Sequence, residues 1–218
     1  TATPSAIVSI SGVTGASSGT STAGMDIRVD ANNIVWIVAH GTSSWVERLV
    51  HSDLPYAAGL TFTDVGRISM SASAQNSRIC IDANGNVHCI YYRNLAPGQY
   101  FHRIYVPGTG WQTSTNIGNG ATAPHDYLGT LEADLLGNVH AIVAIDVGTP
   151  AGTWEFRYKT WDMTNGWGPE TVLFDATNAQ YSGIANYRIF DIAVDAPTGK
   201  ASAFYRDLST GGQLTLVE

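Results

Sequence analysis

The sequence predicts an all-β fold, a four-bladed β-propeller of four-stranded antiparallel blades. Three observations predict it. An Asp-initiated turn recurs at a near-constant interval, an apolar strand follows each copy, and helical periodicity is lacking. Asp-x-x-Gly-Asn-Val-His stands at Asp82–His88 and again at Asp134–His140, 52 residues apart. Another 52 residues upstream lies Asp30, where Asn33 replaces the Gly. Asn is the side chain that best tolerates the left-handed backbone after Gly, so the turn survives. A fourth copy opens at Asp195, after a gap of 61.

The flanks repeat with the turns. Apolar strands follow at Val35–Ala39, Val87–Tyr92 and Val139–Ile145. An aromatic residue three before an Arg comes next: Trp45 and Arg48, Tyr100 and Arg103, Trp154 and Arg157. Gly59-Leu60, Gly110-Trp111 and Gly166-Trp167 mark a further turn, and Val65, Ile117 and Val172 are the apolar positions after it. Each unit reads as four strands, a to d, and about 50 residues for four antiparallel strands is the size of a propeller blade. The blades span about 25–66, 77–118, 130–174 and 189–218. The last has strands at Asp191–Asp195, Lys200–Tyr205 and Gln213–Val217, so its fourth strand is expected from Ala6–Ile10 within 5–11. That pairing closes the ring and covers an open edge. The alternative is a larger ring completed by another chain or by further sequence.

Length and charge bound the function. A chain of 218 residues buries enough surface to need neither disulfides nor metal. With 11 Lys and Arg against 18 Asp and Glu, the net charge is −7. That argues against nucleic acid and anionic membrane surfaces as partners. No apolar run reaches the 18 or more residues of a membrane span, so no membrane insertion is expected.

Cys80 and Cys89 flank the second turn. A two-residue Asn84-Gly85 turn would set them opposite each other as a disulfide pair. A type I turn followed by a left-handed Gly sets Cys80 opposite His88 and Cys89 opposite Ile79. Leu135-Leu136 in the third copy excludes an Asn-Gly type turn there, so two free, buried thiols are expected.

Residues that every blade repeats read as architecture. Asp30, Asp82, Asp134 and Asp195 are expected to cap their turns by accepting backbone N–H groups. One Asp per turn does not converge enough oxygens for calcium, and no metal or cofactor is expected. His88 and His140 read as satisfied histidines between blades, since Trp36 stands at that position in the first copy. Arg48, Arg103 and Arg157 have two readings. They form hydrogen bonds between blades, or they line repeated sugar sites beside Trp45, Tyr100 and Trp154.

Function is expected instead in the long, unlike d–a connections Gly12–Met25, Ser69–Ser77, Asn119–Thr130 and Asp175–Phe190. One carries His125, Asp126 and Tyr127, another Tyr181, Asn186, Tyr187 and Arg188. Tyr supplies a flat apolar face with a polar tip, and the others orient hydrogen bonds. Arg78, Arg93 and Glu132 belong to the same face. No nucleophile elbow, phosphate loop or metalloprotease segment is present, and nothing pairs two carboxylates as a glycosidase requires.

The Asp-x-x-Gly-Asn-Val-His and Gly-Trp elements resemble the propeller repeats of secreted bacterial and phage-associated proteins, including sialidase-like and lectin-like ones. The Asp-box of sialidases differs: it reads Ser-x-Asp-x-Gly-x-Thr/Ser-Trp between strands c and d, whereas this turn joins a and b. The aromatic and Arg positions are similar to those of fucose-type propeller lectins, which have five to seven blades. The resemblance implies a non-catalytic recognition module for glycan or a partner protein surface, extracellular, on a cell surface or on a virion. A glycan-processing hydrolase or lyase using the His125–Tyr127 loop is the alternative, and a structural or decoration protein a third. A homo-oligomer is compatible with each.

Overall fold

Each Asp turn folds a hairpin, and the hairpins assemble into four antiparallel sheets. The computed structural model describes residues 26–40, 47–55, 61–70, 74–93, 99–119, 129–146, 153–177, 190–207 and 213–217. The expected strand Ala6–Ile10 lies outside them. Every regular element among the described residues is a β-strand, and no helix there is long and apolar enough to cross a membrane.

Sheet 1 orders β1 (Asp26–Val29), β2 (Val35–His40), β3 (Glu47–Ser52) and β4 (Phe62–Arg67). Sheet 2 runs β5 (Ala74–Ile81), β6 (Val87–Arg93) and β7 (Gln99–Val106). Two short strands, β8 (Gly110–Trp111) and β9 (Thr115–Asn119), then share the outer edge of β7. Sheet 3 repeats this with β10 (Gly129–Ala133), β11 (Val139–Asp146), β12 (Thr153–Asp162), β13 (Gly166–Trp167) and β14 (Thr171–Thr177). Sheet 4 holds β15 (Phe190–Asp195), β16 (Lys200–Asp207) and β17 (Gln213–Val217). The single outer strand read from the sequence is thus two pieces in sheets 2 and 3, with the Gly-Trp dipeptide as the first.

The first three turns are type I with a left-handed fourth residue, whereas in the Asp195 turn the left-handed residue is the fifth, Gly199. Asp82 Oδ1 accepts the amides of Asn84 at 2.8 Å and Asn86 at 2.9 Å, and Gly85 has φ +80°. Asp30 does the same for Asn32 and Ile34, with Asn33 at φ +62°. Asp134 repeats it for Leu136 and Asn138. Asp195 departs, because its carboxylate takes the Thr198 hydroxyl instead of backbone amides. In the resulting register Cys80 faces His88 and Cys89 faces Ile79, and both thiols are buried and free. Burial pushes both of their pKa values up, so they act as small apolar groups.

The same carboxylates fix the residue six positions on. Trp167 Nε1 donates to His102 Nδ1 at 3.2 Å, so His102 must donate from Nε2 to His88 Nδ1, 3.0 Å away. His88 then carries its proton on Nε2, directed at Asp82 Oδ2 at 3.2 Å. Burial, and then the neighbouring His88, hold His102 well below the usual histidine range, which keeps it neutral. His140 lies 3.2 Å from Asp134 Oδ2 and takes the Tyr158 hydroxyl at 2.6 Å. In sheet 1 the Trp36 indole makes the equivalent bond to Asp30 Oδ2 at 3.1 Å. The position needs an N–H donor at a set reach from Asp, which both imidazole and indole supply.

Sheets stack through their inner strands. Ile79, Leu131 and Ile192, each three before its turn Asp, are buried among residues of the preceding sheet. Burying such a side chain stabilises by roughly 1.5–3 kcal/mol. Ile27 holds the same place in sheet 1 and is 57% exposed, with Val29 at 56%.

Two sequence equivalences are corrected by the register. A β-bulge between the third and fourth strands leaves Val65, Ile117 and Leu173 as the extra residue, so Leu173, not Val172, completes that set. Val172 is 50% exposed, while Leu173 packs on the core. Arg48 and Arg157 pair with Ala39 and Val143, the fifth residues of their strands, where sheet 2 has Phe101 opposite Tyr91. Arg103 sits two residues further along, opposite Cys89, and matches Lys159 opposite Ala141. An offset of two keeps a side chain on the same strand face, so alternation alone does not reveal it.

Candidate functional site

The residues expected to carry function fall in three places. His125, Asp126, Tyr127, Tyr181, Asn186, Tyr187, Arg188 and Trp45 lie outside the described residues, as does the side chain of Trp154. Arg78 and Glu132 lie on the adjacent inner strands β5 and β10, within a polar cluster. Arg28 donates from Nη2 to Glu132 Oε1 at 2.9 Å and from Nη1 to Asp26 Oδ1 at 3.0 Å, joining sheets 1 and 3. Asp26 Oδ2 accepts the Ile79 amide at 3.0 Å, and Thr130 donates to Asp191 at 2.7 Å. Burial raises the Glu132 pKa, with Arg28 opposing the rise. Arg78 is buried and donates to the Ser77 carbonyl at 3.0 Å. Arg93 lies apart at the end of β6, 5.5 Å from the Phe101 ring.

The repeated Arg positions serve the sheets in two ways. Arg48 pairs with Asp64 at 2.5 Å, and Arg157 pairs with Glu155 at 2.6 Å and with Glu170. Arg103 reaches into sheet 1, donating to the carbonyls of Arg67 at 3.1 Å and Ile68 at 3.0 Å. Its structural equivalent Lys159 reaches the Ile117 carbonyl of sheet 2 at 3.2 Å. Trp111 adds an indole bond to the Val65 carbonyl at 3.0 Å and lies 4.7 Å beneath Arg103. Tyr100 is buried edge-on to Tyr92, on the other strand face from Arg103.

A concave site lies elsewhere, on the face of the Asp turns. A groove of about 470 Å³ separates the turns of sheet 1 from those of sheet 2. That is within the roughly 300–1,000 Å³ of small-molecule sites. Trp36 forms its floor at 4% exposure, with the His51 ring at 4.8 Å and the Tyr105 ring at 5.8 Å. Asn32 and Asn84 stand on the two rims. Among the described residues the side chains of Asn32, Asn84 and Tyr105 make no hydrogen bond within the protein. His51 Nδ1 lies 2.9 Å from the Ser52 carbonyl, so Nδ1 donates and Nε2 of the neutral ring presents a lone pair. Hydrogen bonds from Thr61 and Thr63 hold the Asp53 carboxyl below its usual range. The groove thus offers two amides, a phenol hydroxyl and an imidazole acceptor around an aromatic floor. Among the described residues its lining holds no Lys or Arg.

Sequence reasoning passed over this face because its turns recur. The usable signal was difference at equivalent places. Trp36 stands where sheets 2 and 3 have His88 and His140, and His51 where they have Ile104 and Thr160.

No family model and no curated protein matches the chain. Among solved structures, a PL25 ulvan lyase bound to a GlcA(1-4)Rha3S saccharide is similar at a TM-score of 0.52 and 12% identity, over 83% of this chain and 50% of that one. An arabinoxylan arabinofuranohydrolase of glycoside hydrolase family 43 from Bacillus subtilis, in complex with cellotetraose, gives 0.47 and 13%, over 86% and 43%. The NanB sialidase from Streptococcus pneumoniae gives 0.47 and 10%, over 86% and 28%. The likeness to the lyase is one of fold, an all-β arrangement of several antiparallel sheets. The chain spans half the length of that lyase, and less of the other two.

Proposed function

We propose that this chain is a non-catalytic glycan-recognition module, and the groove between sheets 1 and 2 carries the reading. Sugar hydroxyls donate and accept at once, which suits paired amides, a phenol and an imidazole lone pair. The carboxylates beside the groove are engaged in capping. Asp30 takes two backbone amides and an indole, and Asp53 takes threonine hydroxyls. The similar lyase is itself bound to a saccharide, which is consistent with this class of ligand.

In this reading the sheets are blades of a four-bladed propeller spanning one domain, with Ala6–Ile10 completing the last blade. The module works outside the cell, on a cell surface or on a virion. The loops of His125–Tyr127 and Tyr181–Arg188, with Glu132, are read as a second contact surface on the other face. A glycan array with wild type, Asn84→Ala/Tyr105→Phe and Tyr127→Ala/Tyr187→Ala is the test. Binding lost with the first pair and kept with the second is expected. An array on which wild type binds no glycan overturns the reading. Hydrolysis or elimination of a bound glycan, abolished by His125→Ala, replaces it with an enzyme.

A further inference from the structure

We propose that the groove between sheets 1 and 2 selects an uncharged saccharide and rejects uronate, sialate and sulfate-bearing ones. This rests on the glycan reading and names its ligand class. The first argument is electrostatic. Anionic sugars are held by guanidinium or ammonium groups, which supply charge and paired donors. Among the described residues the groove lining has neither, and it contains the carboxylates of Asp30 and Asp53. Hydrogen bonds from Thr61 and Thr63 lower the Asp53 pKa and so favour its charged form. Arg103, two residues before Tyr105 on β7, is engaged with the carbonyls of Arg67 and Ile68 and covers Trp111. The chain as a whole is at −7, so its long-range field also disfavours an anion.

The second argument is the match of polar groups. Asn32 and Asn84 each present a donor and an acceptor, Tyr105 presents a hydroxyl, and His51 Nε2 presents an acceptor. These are complements of hydroxyls, which act both ways. A carboxylate or sulfate only accepts, and it would leave the His51 lone pair and the amide oxygens facing another acceptor. Tyr105 and His51, both half-buried, give the ring walls against which the apolar face of a pyranose packs.

The test uses the full chain and matched probes: galactotriose against trigalacturonate, and lactose against 3′-sialyllactose, with cellotriose, xylotriose and mannotriose beside them. Binding is read by ¹H–¹⁵N NMR on the Trp36 indole, assigned by its loss in Trp36→Phe, and on the Asn84 amide. At least one neutral probe is expected to shift both signals, and acidic counterparts to bind at least about tenfold more weakly at low salt. Tyr105→Phe and Asn84→Ala, which alter groups without internal hydrogen bonds, should each weaken binding roughly 3- to 10-fold. Asn32→Lys should raise affinity for trigalacturonate. Acidic probes shifting the groove signals as strongly as neutral ones would overturn the ligand class and leave glycan recognition standing. Saccharide binding that leaves both signals unmoved would overturn the groove as the site. Failure of every saccharide to bind would remove the glycan reading itself.

Discussion

The junction between sheets 1 and 2 and that between sheets 3 and 4 begin from related turns and end as opposites. Between sheets 3 and 4 the turns touch. Leu135 donates its amide to the Ala196 carbonyl at 2.8 Å, and Gly199 sits so close that an added Cβ would lie 2.8 Å from Asp134 Oδ2. Between sheets 1 and 2 no such bond joins the turns among the described residues, and the groove lies there instead. The middle junction shows a third outcome. Trp161 lies edge-on to His88 at 4.6 Å, in the place where Tyr105 stands 5.8 Å from Trp36. One turn therefore sets where the sheets meet, while a few side chains beside it decide whether the meeting is packed, bonded or open.

The largest expected effect tests whether Trp161 fills the middle junction. Trp161→Ala removes a side chain 8% exposed that packs against both His88 and His102, and should cost about 3–5 kcal/mol. Tyr105→Ala at the equivalent, half-buried place should cost about half as much. Urea unfolding of both variants measures the difference. Equal losses would mean that the two junctions are packed alike and that the groove is not an opening in the stack.

Much of the frame was legible because it is local. The left-handed Asn33, the register placing Cys80 opposite His88, and the buried free thiols all follow from what a five-residue turn can satisfy. The equivalence of Arg103 with Arg48 and Arg157 failed because an aromatic-x-x-Arg spacing says nothing of which residue it faces. That pairing depends on the length of the preceding connection. The groove was illegible for a related reason. It is made by turns about 50 residues apart in sequence, and each of them alone is only a satisfied turn. The residues expected to bind in the d–a connections lie outside the described residues, whereas Glu132 joins inner strands through Arg28 and Arg78 is buried, donating to the Ser77 carbonyl of its own strand.

A glycine pair sharpens the contrast between the open and closed junctions. Gly85 has φ +80° and nothing within 4 Å of an added Cβ. Gly85→Ala should therefore cost only the backbone term, about 1 kcal/mol. Gly199 has φ +69° and also meets Asp134 Oδ2 and Leu136 Cδ1. Gly199→Ala should cost about 2–3 kcal/mol, the excess arising from overpacking. A thermal melt in which both variants lose the same stability would break the claim that the third junction is in contact.

The smallest effect concerns the carboxylate that anchors the middle junction, and its sign follows from linkage. Burial opposes the charge on Asp82, but hydrogen bonds from His88 and Asn86 outweigh it and hold the pKa at about 2, against 3.8 for the free side chain. A carboxyl depressed in the folded state contributes stability that is fully present above the unfolded value and is lost as pH falls through the folded one. Asp82→Asn keeps the shape but removes the charge that accepts from His88, so it should cost about 1–2 kcal/mol at pH 6. The gap between wild type and variant should hold down to about pH 4 and then narrow toward pH 2, as Asp82 itself becomes neutral. Chemical unfolding at closely spaced pH values measures it. A gap that stays constant across that window would mean that the Asp82 charge does not hold the His88–His102–Trp167 chain, and that the junction is fastened by the packing of Trp161 alone.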